Sequence, residues 1–177
     1  RPGTGIGARR RLTTTRIAME SHVNDKTLDC SDLDRHMGKP IQPGRLKEPL
    51  ANNDIRRWVQ AMHYPNRVHY EDEFAAESRF GRIVAPQSFP VATDDGHGTA
   101  PACVGLIPNS HLIFGGDEWW FHGPRIYGGD LIHNERVPLD YVVKETKFAG
   151  PTCFQRGDKR YYNAQGDLIA TQRSTSI

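Results

Sequence analysis

Cysteine is scarce in this chain: Cys30, Cys103 and Cys153 are scattered, odd in number and without a CxxC spacing. That pattern supports neither a disulfide framework nor a thiolate zinc site, and it predicts reduced thiols in a cytosolic, cytoplasmic protein. Long apolar runs are missing too. No stretch approaches the roughly 18 residues that a membrane-spanning helix needs, and no apolar segment follows the N-terminal arginines, so neither a membrane role nor a secretory signal is expected. There is no G-x-S-x-G and no P-loop, which removes support for a serine hydrolase or a nucleotidase.

A one-sided charge is also lacking over most of the chain. The net charge is +2, but Arg1, Arg9, Arg10, Arg11 and Arg16 carry five of the positive charges with no acid among the first sixteen residues. The remaining 18 Lys and Arg stand against 21 Asp and Glu, so the body is mildly acidic at −3. A nucleic-acid partner, which would want a basic face on the folded part, is not expected. The start at Arg1 leaves trimming, a tag remnant or part of something longer open.

What is present is a soluble globular profile: 177 residues, 37% apolar and 25% charged, enough for one domain with a slightly thin core. Residues 1–19 read as a flexible basic arm, and residues 20–177 as the folded domain. The arm contains G-T-G-I-G-A, but no strand precedes it and no βαβ unit follows, so no dinucleotide cofactor is expected. Glu20 to Met37 reads as a short helix or a loop.

The densest signal runs from Trp58 to Phe89. Ile55, Trp58, Val59 and Met62 fall at i, i+3, i+4 and i+7, which puts four apolar groups on one helical face. Asn53 suits the N-cap, and Asp54 places negative charge in the first turn. Pro65 stops the helix near His63 and Tyr64. The loop beyond, with His63, Tyr64, Asn66, Arg67 and His69, is polar and braced by helices on both sides, where reactive groups tend to sit.

A further short helix is expected from near Pro86 to before Gly96, then a loop insertion within Val91 to Ser110. Asp130 to Lys144 alternates as a strand with Leu131, Val137, Leu139, Tyr141 and Val143 on one face. A turn at 147–151, a strand from Cys153 to Tyr162, a hairpin loop at Asn163 to Gly166 and a last strand from Leu168 to Thr175 complete the chain. Helices first and a strand meander after them predict an α+β fold with an antiparallel sheet.

H-x-E occurs at His69-Tyr70-Glu71, but no P-C-x-x-C follows to supply thiolates, and His63 and His69 do not share a helical face; no metal site is expected. Trp119 and Trp120 are adjacent in a strand-like segment, so one should face the core and the other outward or into an interface.

The segment H-Y-P-N-R-V-H-Y-E-D-E-F-A, from His63 to Ala75, resembles the hydration motif of MaoC-like dehydratases and type 2 enoyl-CoA hydratases, G-D-x-N-P-L-H-x-D followed by A. Asn66 stands at the motif's Asn, His69 at its catalytic His, Glu71 at the following acid and Ala75 at the closing small residue. Ile113 to Ile132 and the segment from Lys159 to Ile177 resemble the N-terminal half of two-hot-dog acyl dehydratases. The resemblance spans about Asp29 to Ile177. It implies a single hot dog, an antiparallel sheet wrapped around a central helix. It also implies interconversion of 2-enoyl and 3-hydroxyacyl thioesters, with CoA or an acyl-carrier protein as the thiol.

Three departures bear on that chemistry. Tyr64 stands where the family has its catalytic Asp, Arg67 replaces the Pro, and Pro86-Gln87 replaces the His-Gly whose Gly amide helps bind the thioester oxygen. A free phenol, with a pKa near ~10, is a poor base at neutral pH but a competent hydrogen-bond donor. A free imidazole, near ~6.5, is a natural base for activating water. The expected catalytic residues are His69, Tyr64 and Asn66, with Gln87, Trp119 and Trp120 lining the substrate. Other readings of these residues stand beside this one: a surface His, a packing Tyr, a turn-forming Asn, and core-plus-rim tryptophans. The expected assembly is a homo-oligomer or a heteromer with a second hot-dog subunit. In that heteromer the chain either performs the chemistry or shapes the pocket for a catalytic partner. A non-catalytic acyl-CoA-binding or scaffold subunit is the alternative.

Overall fold

A computed structural model describes residues 28–93 and 101–177; the basic arm lies outside the described residues. Five antiparallel strands form one sheet in the order β1-β3-β4-β5-β2. They are β1 (Ile41–Arg45), β2 (Phe114–Phe121), β3 (His133–Thr146), β4 (Gly150–Tyr162) and β5 (Leu168–Ser176). Short helices α1 (Ser31–Asp34), α2 (Asn52–Ala61) and α3 (Asp72–Glu77) accompany it.

The last three strands follow the sequence signals closely. In the β4–β5 loop, Asn163 Oδ1 accepts the backbone N–H groups of Gln165 and Asp167 at 3.0 and 2.8 Å. Gly166 supplies the left-handed φ of 88° that this turn requires. The alternation expected for β3 holds only in part. Pro138 pairs with Gly157 and Asp140 with Arg156, so Leu139 is an extra, bulged residue. Pro138 has no N–H for the ladder, which suits a break at this point. The bulge reverses the faces: Val137 shares a side with Asp158, whereas Tyr141 and Val143 share the side of Gln155 and Cys153. The expected single face from Leu131 to Val143 is therefore corrected to two.

Helix α2 forms on the predicted apolar stripe, but its N-cap is Ala51, not Asn53. Asp54 at the third helical position accepts the Ala51 N–H at 2.9 Å and satisfies a donor there from inside the helix. Ile55 and Val59 are buried, while Met62 closes the helix and stays exposed. One core joins Ile55, Val59, Val68, Ala75, Ile83, Val84 and Phe89 to Ile126, Ile132, Tyr161, Ile169 and Ala170 of the sheet side. Each side chain as fully buried as Ile55 contributes about 1.5–3 kcal/mol relative to exposure.

Within the span expected for the central helix, the described residues form a turn at Pro86 to Phe89 and a 3-10 helix at Phe89–Thr93. The far half of the same sheet face is covered by an extended segment, in the stretch predicted as a loop insertion. Ala102 lies on Gly157, where an added Cβ would sit 2.5 Å from the Ala102 carbonyl oxygen. Gln155 Nε2 donates to Val104 O at 2.8 Å, and the Cys103 thiol reaches the carbonyls of Gln155 and Ser174, both at 3.5 Å. Leu106 N–H donates to Asp32 at 2.9 Å, and Tyr141 donates to Asp34 at 2.7 Å, which seats α1 on this end.

Candidate active site

The loop leaving α2 turns sharply because His63 adopts a left-handed φ of 53° and Tyr64 N–H returns to Val59 O at 3.0 Å. Asn66 Oδ1 accepts the Val68 N–H at 3.2 Å and caps a 3-10 turn over Arg67–His69. Val68, 5% exposed, anchors that turn in the core, so the neighbouring His69 is presented at a defined position. The turn-forming role of Asn66 is thus present in the structure, with its side chain at the exposed surface.

His69 Nδ1 lies 2.7 Å from Val84 O. A carbonyl oxygen only accepts, so Nδ1 carries a proton, and in the neutral ring Nε2 is the nitrogen with the lone pair. That is the tautomer a general base requires. The Tyr64 ring meets His69 edge-on, with centroids 6.2 Å apart. Its hydroxyl lies 3.3 Å from Ser88 Oγ, which also accepts Trp58 Nε1–H at 3.1 Å. The segment Val84 to Ser88 therefore contacts His69, Tyr64 and Trp58.

Glu71, at the motif's following acid, is held by the Arg67 guanidinium. Hydrogen bonding from Arg67 lowers the pKa of its carboxyl, which favours the anion. Gln87 is exposed and lines a cavity of ≈ 20 Å³ with Arg125, Gly123 and Phe121, about the space of one water. Among the described residues the short helix expected from near Pro86 is a turn and a 3-10 helix, and the Gln87 amide lies in that turn.

The two tryptophans part as expected for a strand. Trp119 faces the core, stacked on Tyr161 and Phe121 at 5.9 and 6.0 Å. It reaches the Gln87 cavity only through Phe121. Trp120 lies on the opposite face, under the Arg173 guanidinium at 5.3 Å, and is not brought to His69.

A wider cleft of ≈ 610 Å³ opens between the β1–α2 connection, α2 and the Phe89 turn. Leu46, Leu50, Trp58, Ala61, Phe89 and Ala92 make it apolar, and Lys47, Glu48, Asp54 and Arg57 add charge of both signs. Trp58 and Phe89 flank Ser88 in contact and sequence, so the cleft adjoins the Tyr64 hydroxyl.

Thiol chemistry has no foothold nearby. Burial pushes the Cys153 thiol up to about 11 and raises Cys30 and Cys103 as well. Among the described residues no three His, Cys, Asp or Glu side chains converge as metal ligands would. Sequence reasoning did not single out Ser88, the Val84 carbonyl or Arg125. A backbone carbonyl has no sequence signal, and nothing in P-Q-S-F announces that its Ser meets a Tyr 24 residues earlier.

Residues 35–172 match the model of the FAS1-like dehydratase domain region. The chain belongs to this family. A relative described as a probable enoyl-CoA hydratase alpha subunit, from Thermomonospora curvata, is 27% identical over 146 residues, covering 75% of this chain and 46% of that protein. The chain thus spans less than half the length of that relative. Among solved structures, the ChsH1–ChsH2 complex of Mycobacterium tuberculosis superposes with a TM-score of 0.62 at 18% identity, over 78% of this chain and 88% of the other. A MaoC-like dehydratase from Rhodospirillum rubrum superposes with a TM-score of 0.57 at 17% identity, over 82% and 95%. These likenesses establish the hot-dog fold. Among the described residues no helix is long and apolar enough to cross a membrane.

Proposed function

We propose that this chain is a hydratase/dehydratase subunit that interconverts 2-enoyl and 3-hydroxyacyl thioesters, with His69 as its base. The observation that carries this reading is the 2.7 Å contact of His69 Nδ1 with Val84 O, which leaves Nε2 free at the motif's catalytic position. In hydration, Nε2 takes a proton from water as the water oxygen bonds to C3. The C2–C3 π pair moves toward the thioester carbonyl, and the imidazolium returns a proton to C2, so one water is added in sum. The acyl part fits the ≈ 610 Å³ apolar cleft beside Trp58, a volume typical of small-molecule pockets.

A cytoplasmic protein of one domain over residues 20–177, without metal or cofactor, accords with this chemistry. The assembly is a homo-oligomer or a heteromer with a second hot-dog subunit. The heteromer is favoured by the alpha-subunit relative and by the two-component complex among the structural neighbours. A second reading, a pocket-forming subunit whose partner carries the chemistry, is favoured by Tyr64 at the position where the motif has Asp.

The test is hydration of (2E)-enoyl-CoA in ¹⁸O-water, with the chain alone and with a second hot-dog subunit that retains G-D-x-N-P-x-H. Label in the 3-hydroxyacyl product with the chain alone supports the first reading. Label only with the partner, unaffected by His69→Ala, moves the chain to the second. No product under either condition contradicts both.

A further inference from the structure

A shared serine hydroxyl links the Trp58 indole to the Tyr64 phenol. An indole nitrogen is a donor only, so in the Trp58–Ser88 contact of 3.1 Å the serine oxygen accepts. Ser88 is half-buried, and its hydroxyl lies 3.3 Å from the Tyr64 oxygen, a contact in which either hydroxyl can donate. A phenol oxygen that accepts from Ser88 keeps its own O–H for a third partner. Tyr64 is 36% exposed and its ring stands edge-on to His69, so a third partner can reach its hydroxyl from the open side.

We infer that Trp58 and Ser88 are positioning residues that turn Tyr64 into a directed hydrogen-bond donor to a substrate oxygen. The relay runs Trp58 N–H to Ser88 O–H to Tyr64 O–H to substrate. This assigns the position of the motif's carboxylate a role opposite to that of a base: His69 Nε2 accepts and Tyr64 donates. The substrate oxygen belongs to an acyl thioester or its 3-hydroxy product, so that part of the inference rests on the proposed function, whereas the orientation of the relay does not. Donation along such a chain also strengthens each link, because a hydroxyl that gives its proton onward is a better acceptor.

The orientation is read from the Trp58 indole N–H resonance in ¹H–¹⁵N spectra of the full chain, assigned with Trp58→Phe. In Tyr64→Phe, which keeps the ring, the inferred direction weakens the Trp58–Ser88 bond and moves the indole proton upfield. The reverse direction has the phenol competing for the serine lone pairs, and its removal moves the proton downfield. A downfield shift, or none, overturns the relay whether or not any thioester is turned over.

The donor role is read from affinity for a 3-hydroxyacyl-CoA. Tyr64→Phe and Ser88→Ala are each expected to weaken binding by about three- to tenfold, as for one hydrogen bond lost. The double variant should be no weaker than Tyr64→Phe alone, and Ser88→Thr should restore the parent value. Additive losses, or unchanged affinity in Tyr64→Phe, contradict the donor role. If the parent binds no thioester while the indole shift is upfield, the proposed function fails and the relay stands.

Discussion

The imidazole of His69 and the carbonyl of Val84 are 2.7 Å apart, and that bond joins the motif loop to the segment that leads into the short central turn. Through it, the loop after α2 and the chain before Phe89 are held as one unit. His69 gains a fixed tautomer, and Ser88 is brought under the Tyr64 hydroxyl.

The packing of Ala102 on Gly157 gives a stability prediction. A Cβ there would stand 2.5 Å from a backbone oxygen, which cannot rotate aside as a side chain can. Gly157→Ala is expected to cost about 1–3 kcal/mol. Chemical denaturation checks the size, and hydrogen exchange should show lost protection around Cys103 and Val104.

A pH dependence follows from Tyr141. Its bond to Asp34 is made with the phenol proton in place, and that hydrogen bond, then desolvation, then the Asp34 charge push the phenol up to about 12. The folded value lies above the ordinary value of 10.0, so this contribution is complete below pH 10 and disappears as the pH rises to about 12. Thermal melts from pH 9 to 12 should show a fall in Tm over that window, and the fall should be smaller in Tyr141→Phe.

Assembly is predicted from the sheet edge. Strand β2 pairs with β5 on one side only, and Phe114, Trp120 and Phe121 are exposed along it. An edge of this length with exposed aromatics invites pairing. Sedimentation velocity at micromolar concentration is expected to show a dimer or larger species, homomeric or with a second subunit. A stable 20.0 kDa monomer that also ignores a candidate partner would contradict it.

Much of this architecture was legible in the sequence, for reasons that can be located. The α2 stripe, the stop at Pro65 and the Asn163 turn are short-range features, each written in a few adjacent residues. The bulge at Leu139 was not legible, because the pattern from Asp130 to Lys144 alternates through it and only the partner strand shows the extra residue. The cap at Ala51 was missed because the carboxylate that satisfies it sits within the helix. In the site, His69 and Asn66 were marked by motif position, and Tyr64 by its departure from it. Ser88 and Val84 became visible only when the chain returned past the loop, across 24 and 15 residues of separation.

The cleft carries a specificity prediction. Ala61 is an exposed residue of α2 and lines the ≈ 610 Å³ space across from Phe89. Ala61→Trp should fill part of it and reduce turnover of long-chain thioesters by about tenfold or more relative to short-chain ones. A series of acyl-CoA lengths measured as kcat/KM checks this, and an unchanged ratio would place the acyl chain elsewhere.

The most direct test of the account is the hydration rate of a (2E)-enoyl-CoA by the parent and by His69→Ala, each confirmed folded by its thermal melt and each assayed with the same partner where one is needed. A base positioned as His69 is contributes about 10²–10⁴-fold, so the variant should lose that much in kcat with its fold intact. Equal rates in a folded variant would contradict the assignment of His69 as the base and leave the chain as a pocket-forming subunit.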